Sequence, residues 1–297
     1  MSTISTGDNS AVRLKSFLVL GFLSLIWGSS FILIKKGLVV YSPVQLACLR
    51  VSISAIAFFP FFLYRLKKVD WSKWPYLVTV GLTGSALPSL LFSYAQTEVS
   101  SSIAGILNSL TPLFTLILGV FIFGSAMMWS KLIGVIMGLL GAALLIILGS
   151  QAGLEGNLWY GLLIVVATIC YATSVNTVGK YLKDMSSLTI STVSFTLVGI
   201  PMLFFLFTTD FVNIMQTNPG AYEALGYISI LSLGGTFLAT IVFFQLVQWT
   251  NPVFSSTVAY IIPIVALMWG VVDGERITVY HLLAIGMILG GVYLSRK

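Results

Sequence analysis

One charge stands well inside an apolar stretch of this 297-residue chain: Arg50, seven residues after Pro43. A guanidinium presents a planar fork of N–H donors that matches a carboxylate. At 1.5 Å per helical residue it would lie about 10 Å into the stretch. A charge near the middle of a membrane helix costs roughly 2.5–3.5 kcal/mol on insertion scales. Two purposes would offset that cost: a clamp for an anion or carboxylate, or a gate pairing with Glu98 or Glu275. The plainer alternative is that the side chain snorkels to nearby headgroups. Other polar or amphipathic residues recur inside apolar runs: Trp27, Ser29, Ser30, Tyr94, Gln96, Asn108, Thr111, Tyr171, Asn176, Gln245, Gln248 and Tyr260. Together they offer aromatic faces, hydroxyls and amides to a solute. Serine and threonine also glue helices together without any ligand. Trp and Tyr near span ends belong to interfacial belts, which accounts for Trp71, Trp74, Trp159 and Tyr293. Trp27 and Tyr171 fit that account less well, because they lie deeper in their runs.

Other chemistries find little support. There is no HExxH, GxSxG or phosphate-binding loop, and no paired acids lie inside apolar runs. Cys48 and Cys170 read as small buried hydrophobes rather than a disulfide or metal pair. His281, at the start of the last run, reads as an interface residue. No metal site and no cofactor is expected. Without an ATP motif, any pumping must draw on an ion gradient or on the solute's own gradient.

The positioning elements follow from composition. Hydrophobic residues make up 58% of the chain and charged residues 8%, against about 25% charged in a soluble domain. The chain reads as an all-α polytopic membrane protein with the lipid bilayer as its partner. Ten segments approach spanning length: Phe17–Ile34, Pro43–Tyr64, Trp74–Tyr94, Val99–Phe123, Leu132–Leu148, Leu158–Val178, Leu188–Thr208, Leu225–Gln248, Pro252–Val272 and Val279–Tyr293. The gaps are too short for a soluble domain. The net charge of +6 sits in those gaps, so it does not indicate nucleic acid. With the N-terminus inside, the inner segments hold 11 basic residues and the outer gaps three, with Arg50 left within a span. Both termini are therefore expected in the cytoplasm.

The two halves repeat. Trp27 falls on Tyr171 and Lys36 on Lys180, 144 residues apart; Pro112 falls on Pro263 and Gly119 on Gly270, 151 apart; Gly134 and Gly138 fall on Gly286 and Gly290, 152 apart. Each half has an odd number of spans, so the second half enters the bilayer from the opposite side. The expected organisation is a cytoplasmic tail over 1–16, a first five-helix repeat over 17–150 and an inverted second repeat over 156–297. Inverted repeats bind solute near the midplane, at discontinuous helices. Pro112 and Pro263 are expected to break corresponding helices there. The N-terminal end has features of a signal peptide, with Arg13 and Lys15, an apolar run, then Gly28 and Ser30. The sixth span is the first span's counterpart and lies mid-chain, so the first is expected to be a retained span. The GxxxG pairs Gly134/Gly138 and Gly286/Gly290 are expected to pack the fifth and tenth spans together or to form a homodimer contact.

The stretches "WGSSFILIK" (Trp27–Lys35), "SYAQTEVSSSIAGILNSLTPLFTLILG" (Ser93–Gly119) and "YIIPIVALMWGVVDGE" (Tyr260–Glu275) resemble the EamA-type members of the drug/metabolite transporter superfamily. The resemblance covers nearly the whole chain. It implies ten helices around a central cavity and export of small metabolites such as amino acids. Lys35 matches the family motif and Arg50 matches its second-span arginine. The family's Gly-Glu pair closing each half's fourth span is kept as Gly274-Glu275 but replaced by Gly124-Ser125 in the first half.

The expectation is a secondary transporter working by alternating access in the plasma membrane, a bacterial inner membrane. Its candidate substrate-binding residues are Trp27, Ser29, Ser30, Arg50, Tyr94, Asn108, Thr111, Tyr171, Asn176, Gln245 and Tyr260. Lys35, Glu98 and Glu275 are candidate gate or outer-end charges. Such a lining suits a small neutral or zwitterionic solute with an apolar part. A receptor or assembly subunit that moves no solute is the alternative; an enzyme is not expected.

Overall fold

The computed structural model describes residues 6–99, 101–149, 158–272 and 279–295. The described residues are helical, with no strand among them. Their helices, in order, are α1 (Thr6–Gly28), α2 (Ser30–Leu38), α3 (Pro43–Arg65), α4 (Trp74–Gly81), α5 (Leu87–Ala95), α6 (Ser101–Asn108), α7 (Thr111–Phe121), α8 (Trp129–Gly149), α9 (Leu158–Tyr181), α10 (Ser187–Leu206), α11 (Phe211–Thr217), α12 (Ala221–Ile230), α13 (Ala239–Trp249), α14 (Pro252–Ser256), α15 (Val258–Val272) and α16 (Val279–Ser295). Six continuous helical stretches are long and apolar enough to cross a bilayer: Leu14–Leu38, Pro43–Lys68, Trp71–Ala95, Trp159–Tyr181, Ser187–Leu206 and Ala221–Trp249. Shorter apolar helices cover Thr111–Phe121, Trp129–Leu144, Pro252–Val265 and Leu282–Ser295. Large apolar side chains such as Phe121, Trp159 and Phe204 point outward, as in a protein whose solvent is lipid. This is a multi-pass membrane protein.

The helices start where local chemistry lets them. Ser42 caps α3 in a reciprocal box with Gln45, and Pro43 fills the first turn. Ser186 caps α10 by accepting from the Thr189 amide. These two caps sit 144 residues apart, at the offset of the first repeat match.

Two apolar stretches are interrupted by π-helical turns. Leu82–Ala86 joins α4 to α5, and Leu231–Leu238 joins α12 to α13. Pro88 lacks the amide that the Gly84 carbonyl would otherwise accept, and Leu87 bonds back to Leu82 instead. Gly234 and Gly235 supply the flexibility in the second segment. Three further stretches are split: α1 from α2 at Ser29, α6 from α7 at Ser109–Leu110, and α14 from α15 at Thr257. Pro112 falls in the first turn of α7, just after its break. Pro263, by contrast, lies inside α15, which continues through it. Its missing amide still frees the Ala259 carbonyl, and Ser109 Oγ donates to that oxygen at 3.3 Å.

Packing is reciprocal between the halves. α3 lies along α10 and α8 along α16; α1 packs on α13 and α15, while α9 packs on α5 and α7. The largest core joins α1, α9, α10, α13 and α15 through Leu20, Leu23, Val175, Ile190, Phe244 and Tyr260. At one end, Lys73 bridges to Asp184 at 2.6 Å, Arg65 donates to Ser186 and Thr189, and Tyr76 stacks on Tyr181 at 4.2 Å. The bond from Lys73 holds the Asp184 carboxyl below its usual range.

Three of the four glycines of the GxxxG pairs, Gly134, Gly138 and Gly290, pack within the chain. A side chain on Gly134 would strike Gly291 and Ser295 of α16, and one on Gly290 would strike Met137 of α8. A side chain on Gly138 would lie 2.6 Å from the Tyr260 ring, whereas Gly286 faces open space. Gly138→Leu should therefore lower stability by about 1–3 kcal/mol through overpacking, and Gly286→Leu should not. Thermal unfolding of the two variants in detergent checks this, with equal melting curves as the contrary outcome.

Candidate functional site

A central cavity of about 120 Å³ lies between the halves. The two π segments form part of its wall, through Gly84 and Ser85 on one side and Gly235 and Thr236 on the other. These residues match at the repeat offset of 151. π turns free carbonyls and cluster at functional sites. Here the freed oxygens are taken by side chains of neighbouring helices. Trp27 Nε1 donates to the Gly235 carbonyl at 2.7 Å, and Ser54 Oγ donates to the Ser232 carbonyl at 3.1 Å.

Glycine is required where the π segments meet α9 and α2. A side chain on Gly84 would lie 2.6 Å from Ser174 Oγ, and one on Gly235 would lie 3.0 Å from Ser30 Oγ. Ser30 and Ser174 are themselves a matched pair, 144 residues apart. Ser30 bonds to the Ile26 carbonyl at 3.0 Å. Ser174 Oγ is buried without a partner among the described residues.

Two aromatic pairs wall the cavity. Trp27 meets Phe243 edge-on at 5.2 Å between centroids, and Tyr171 meets Phe92 at 6.1 Å. Trp27 matches Tyr171 and Phe92 matches Phe243, so one contact occurs twice with the halves exchanged. Phe31 extends the second wall at 6.1 Å from Phe92.

Arg50 supplies the cavity's cation. Its Nε donates to Thr236 Oγ1 at 3.0 Å. The one ion pair among the described residues is Lys73–Asp184, so Arg50 has no carboxylate partner there. Glu98 is exposed, as is Lys35, and neither lines the cavity. Glu275 lies outside the described residues.

The structure therefore brings together Trp27, Ser30, Arg50, Asn108, Thr111 and Tyr171. It places the other expected binding residues elsewhere. Ser29 bonds back to the Leu25 carbonyl at 2.9 Å on an exposed face. Tyr94 is exposed toward the outside. Asn176 donates to the carbonyls of Thr115 and Ala172, tying α9 to α7. Gln245 accepts from Ser187 at 3.1 Å, tying α13 to α10. Tyr260 is fully buried, with its hydroxyl on the Val135 carbonyl at 2.8 Å. In each of the last three, helix-to-helix bonding uses the polar group that a solute would need. Sequence reasoning missed Ser85, Phe92, Thr236 and Phe243. The repeat offset pairs Ser85 with Thr236 and Phe92 with Phe243, and it was the signal that could have found them.

The family profile described as the EamA-like transporter family matches residues 15–147 and 158–296. A protein of Archaeoglobus fulgidus named "Uncharacterized transporter" is 25% identical over 283 residues, covering 95% of this chain and 98% of its own. The Escherichia coli K12 protein named "Uncharacterized inner membrane transporter YedA" is 26% identical, covering 92% and 87%. A Streptantibioticus cattleyicolor protein named "Probable terminal-alkyne amino-acid exporter" is 26% identical over 137 residues, 45% of each chain. A solved crystal structure superposes with a TM-score of 0.66 at 17% identity, covering 95% of this chain and 96% of its own; that likeness concerns the fold alone. The matched profile spans both halves, and the chain belongs to the EamA-like transporter family.

Proposed function

We propose that the protein is a secondary transporter, an exporter of small carboxylate-bearing metabolites with amino acids among them, working by alternating access across a bacterial inner membrane. The observation that carries this reading is a central cavity lined by matched residues of both halves and holding a guanidinium with no protein counter-ion among the described residues. Ten spans in two inverted five-helix repeats, with both termini cytoplasmic, complete the proposal. The reciprocal packing of α1 with α15 and α9 with α7, the two π segments and the matched caps support the repeat. The excess of basic residues in the inner gaps supports the orientation. Similarity of half the chain to a protein named as an amino-acid exporter supports amino acids as solutes. The relatives are named as transporters, which are not enzymes.

Alternating access needs two packings of one core that differ by a few kcal/mol. The π segments suit that role. In the second of them, side chains of neighbouring helices reach backbone carbonyls, Trp27 that of Gly235 and Ser54 that of Ser232.

Arg50→Ala should lower carboxylate flux at least tenfold, with unchanged yield and membrane insertion, because a charge-assisted pair in a cavity contributes about 1.5–3 kcal/mol. Uptake into liposomes holding only this protein measures it. Wild-type flux in the variant would sink the clamp, and no flux of any solute by the wild-type chain would favour a receptor or assembly role.

No Asp or Glu among the described residues lines the cavity, so none of those carboxylates can carry a proton through the cycle there. Flux down a solute gradient should persist when a protonophore collapses the pH gradient across the same liposomes. Abolished flux would establish obligatory proton coupling instead.

A further inference from the structure

We propose that the cavity selects a net monoanion, a monocarboxylate with an apolar body and no ammonium group, over the zwitterionic amino acid of the same shape. The inference deepens the transporter reading and rests on that same site.

It starts from unspent hydrogen-bonding capacity. Thr236 engages only Nε of Arg50, so among the described residues both terminal guanidinium nitrogens are left to donate. The buried Ser174 hydroxyl also lacks a protein partner there, and Asn108 adds a side-chain amide to the lining. These groups form a donor-rich patch suited to a carboxylate, since charge-assisted bonds from arginine to carboxylate are the strong ones.

An ammonium would find the reverse. Asp70, Glu98, Asp184, Asp210 and Glu223 are all exposed and outside the cavity. Two carbonyls at the cavity are already engaged, that of Gly235 by Trp27 and that of Ala259 by Ser109. The rest of the wall is made of neutral groups, aromatic rings beside aliphatic side chains and hydroxyls, with no anionic one among the described residues. An aromatic face attracts a cation modestly, but an α-ammonium is covalently tied close to the carboxylate, and so would be held near Arg50. Like charges disfavour each other at that range. A zwitterion leaves the site with the net charge it had. A monoanion neutralises it, which matters most where solvent is scarce.

The position matching Arg50 in the second half explains why the charge is single. At the 144-residue offset set by the Ser42 and Ser186 caps it is Ser194, buried on α10 with an unpartnered hydroxyl. Gly81 of α4 packs on Ser194 itself. The cavity is two-fold in shape and one-sided in charge, so it suits a solute with one charged end.

The test uses purified protein in nanodiscs and ligand pairs that differ only in the amino group: hydrocinnamate against L-phenylalanine, and isocaproate against L-leucine. Calorimetry should show each monocarboxylate binding at least tenfold more tightly, about 1.4 kcal/mol. Arg50→Met should erase the preference and Thr236→Val should reduce it; if Arg50→Met fails to fold, Thr236→Val carries the test. Equal or tighter binding of both amino acids, or no binding of either monocarboxylate, overturns the proposal. Liposome flux with the same four solutes separates the two readings. Preferential binding of monocarboxylates without flux upholds the selectivity and overturns transport. Preferential flux of amino acids upholds transport and overturns the selectivity.

Discussion

In a bilayer every backbone polar group must find a partner inside the protein. That constraint governs this molecule wherever its helices break. The π turns, the split at Ser109–Leu110 and the prolines all release carbonyl oxygens. Side chains from other helices take them up: Trp27 on Gly235, Ser54 on Ser232, Ser109 on Ala259. All three of these bonds cross from one half of the chain to the other. The broken helices thus do two jobs, opening a cavity and locking its walls together. Tyr260 on Val135 and Asn176 on Thr115 extend the same bonding outward into intact helices.

Electrostatics then sets the cavity apart from the rest of the interior. Buried polar groups elsewhere are mainly hydroxyls, and many of them bond to carbonyls one helical turn back. Ser24, Ser93 and Thr115 all do so. Arg50 cannot be satisfied in that way. Its guanidinium has more donors than Thr236 can absorb, and Asp70, Glu98, Asp184, Asp210 and Glu223 are all exposed, away from the cavity.

Much of this was legible in the sequence. Apolar runs marked the helices because lipid tolerates little else. The Trp27–Tyr171 correspondence pointed to two residues that the cavity does bring together, and Arg50 stood out because a charge inside an apolar run is costly. What stayed hidden was the partner of each polar side chain. Asn176, Gln245 and Tyr260 have the chemistry of a solute site and are used for helix contacts instead. Sequence records that a polar group lies within a run but not the direction it faces. The π turns were concealed for a related reason, since one widened turn barely disturbs hydrophobic periodicity. Pro112 and Pro263 misled in a smaller way: equal spacing does not compel equal geometry, and α15 continues through its proline.

The π turns also carry a consequence for how this cavity can be re-tailored. Each stores surplus residues relative to an α-helical turn. Removing one would let the segment relax to an ordinary helix. Because a π turn completes its rotation with about one residue more than an α turn, the side chains beyond it would keep their facing. A single-codon deletion near Gly84 would leave Phe92 on its wall, and one near Gly235 would leave Phe243 on its own. The fold thus has two places where the chain can lose a residue and tighten the cavity's backbone without re-aiming an aromatic face, whereas the same deletion in a regular stretch would rotate everything beyond it by about 100°.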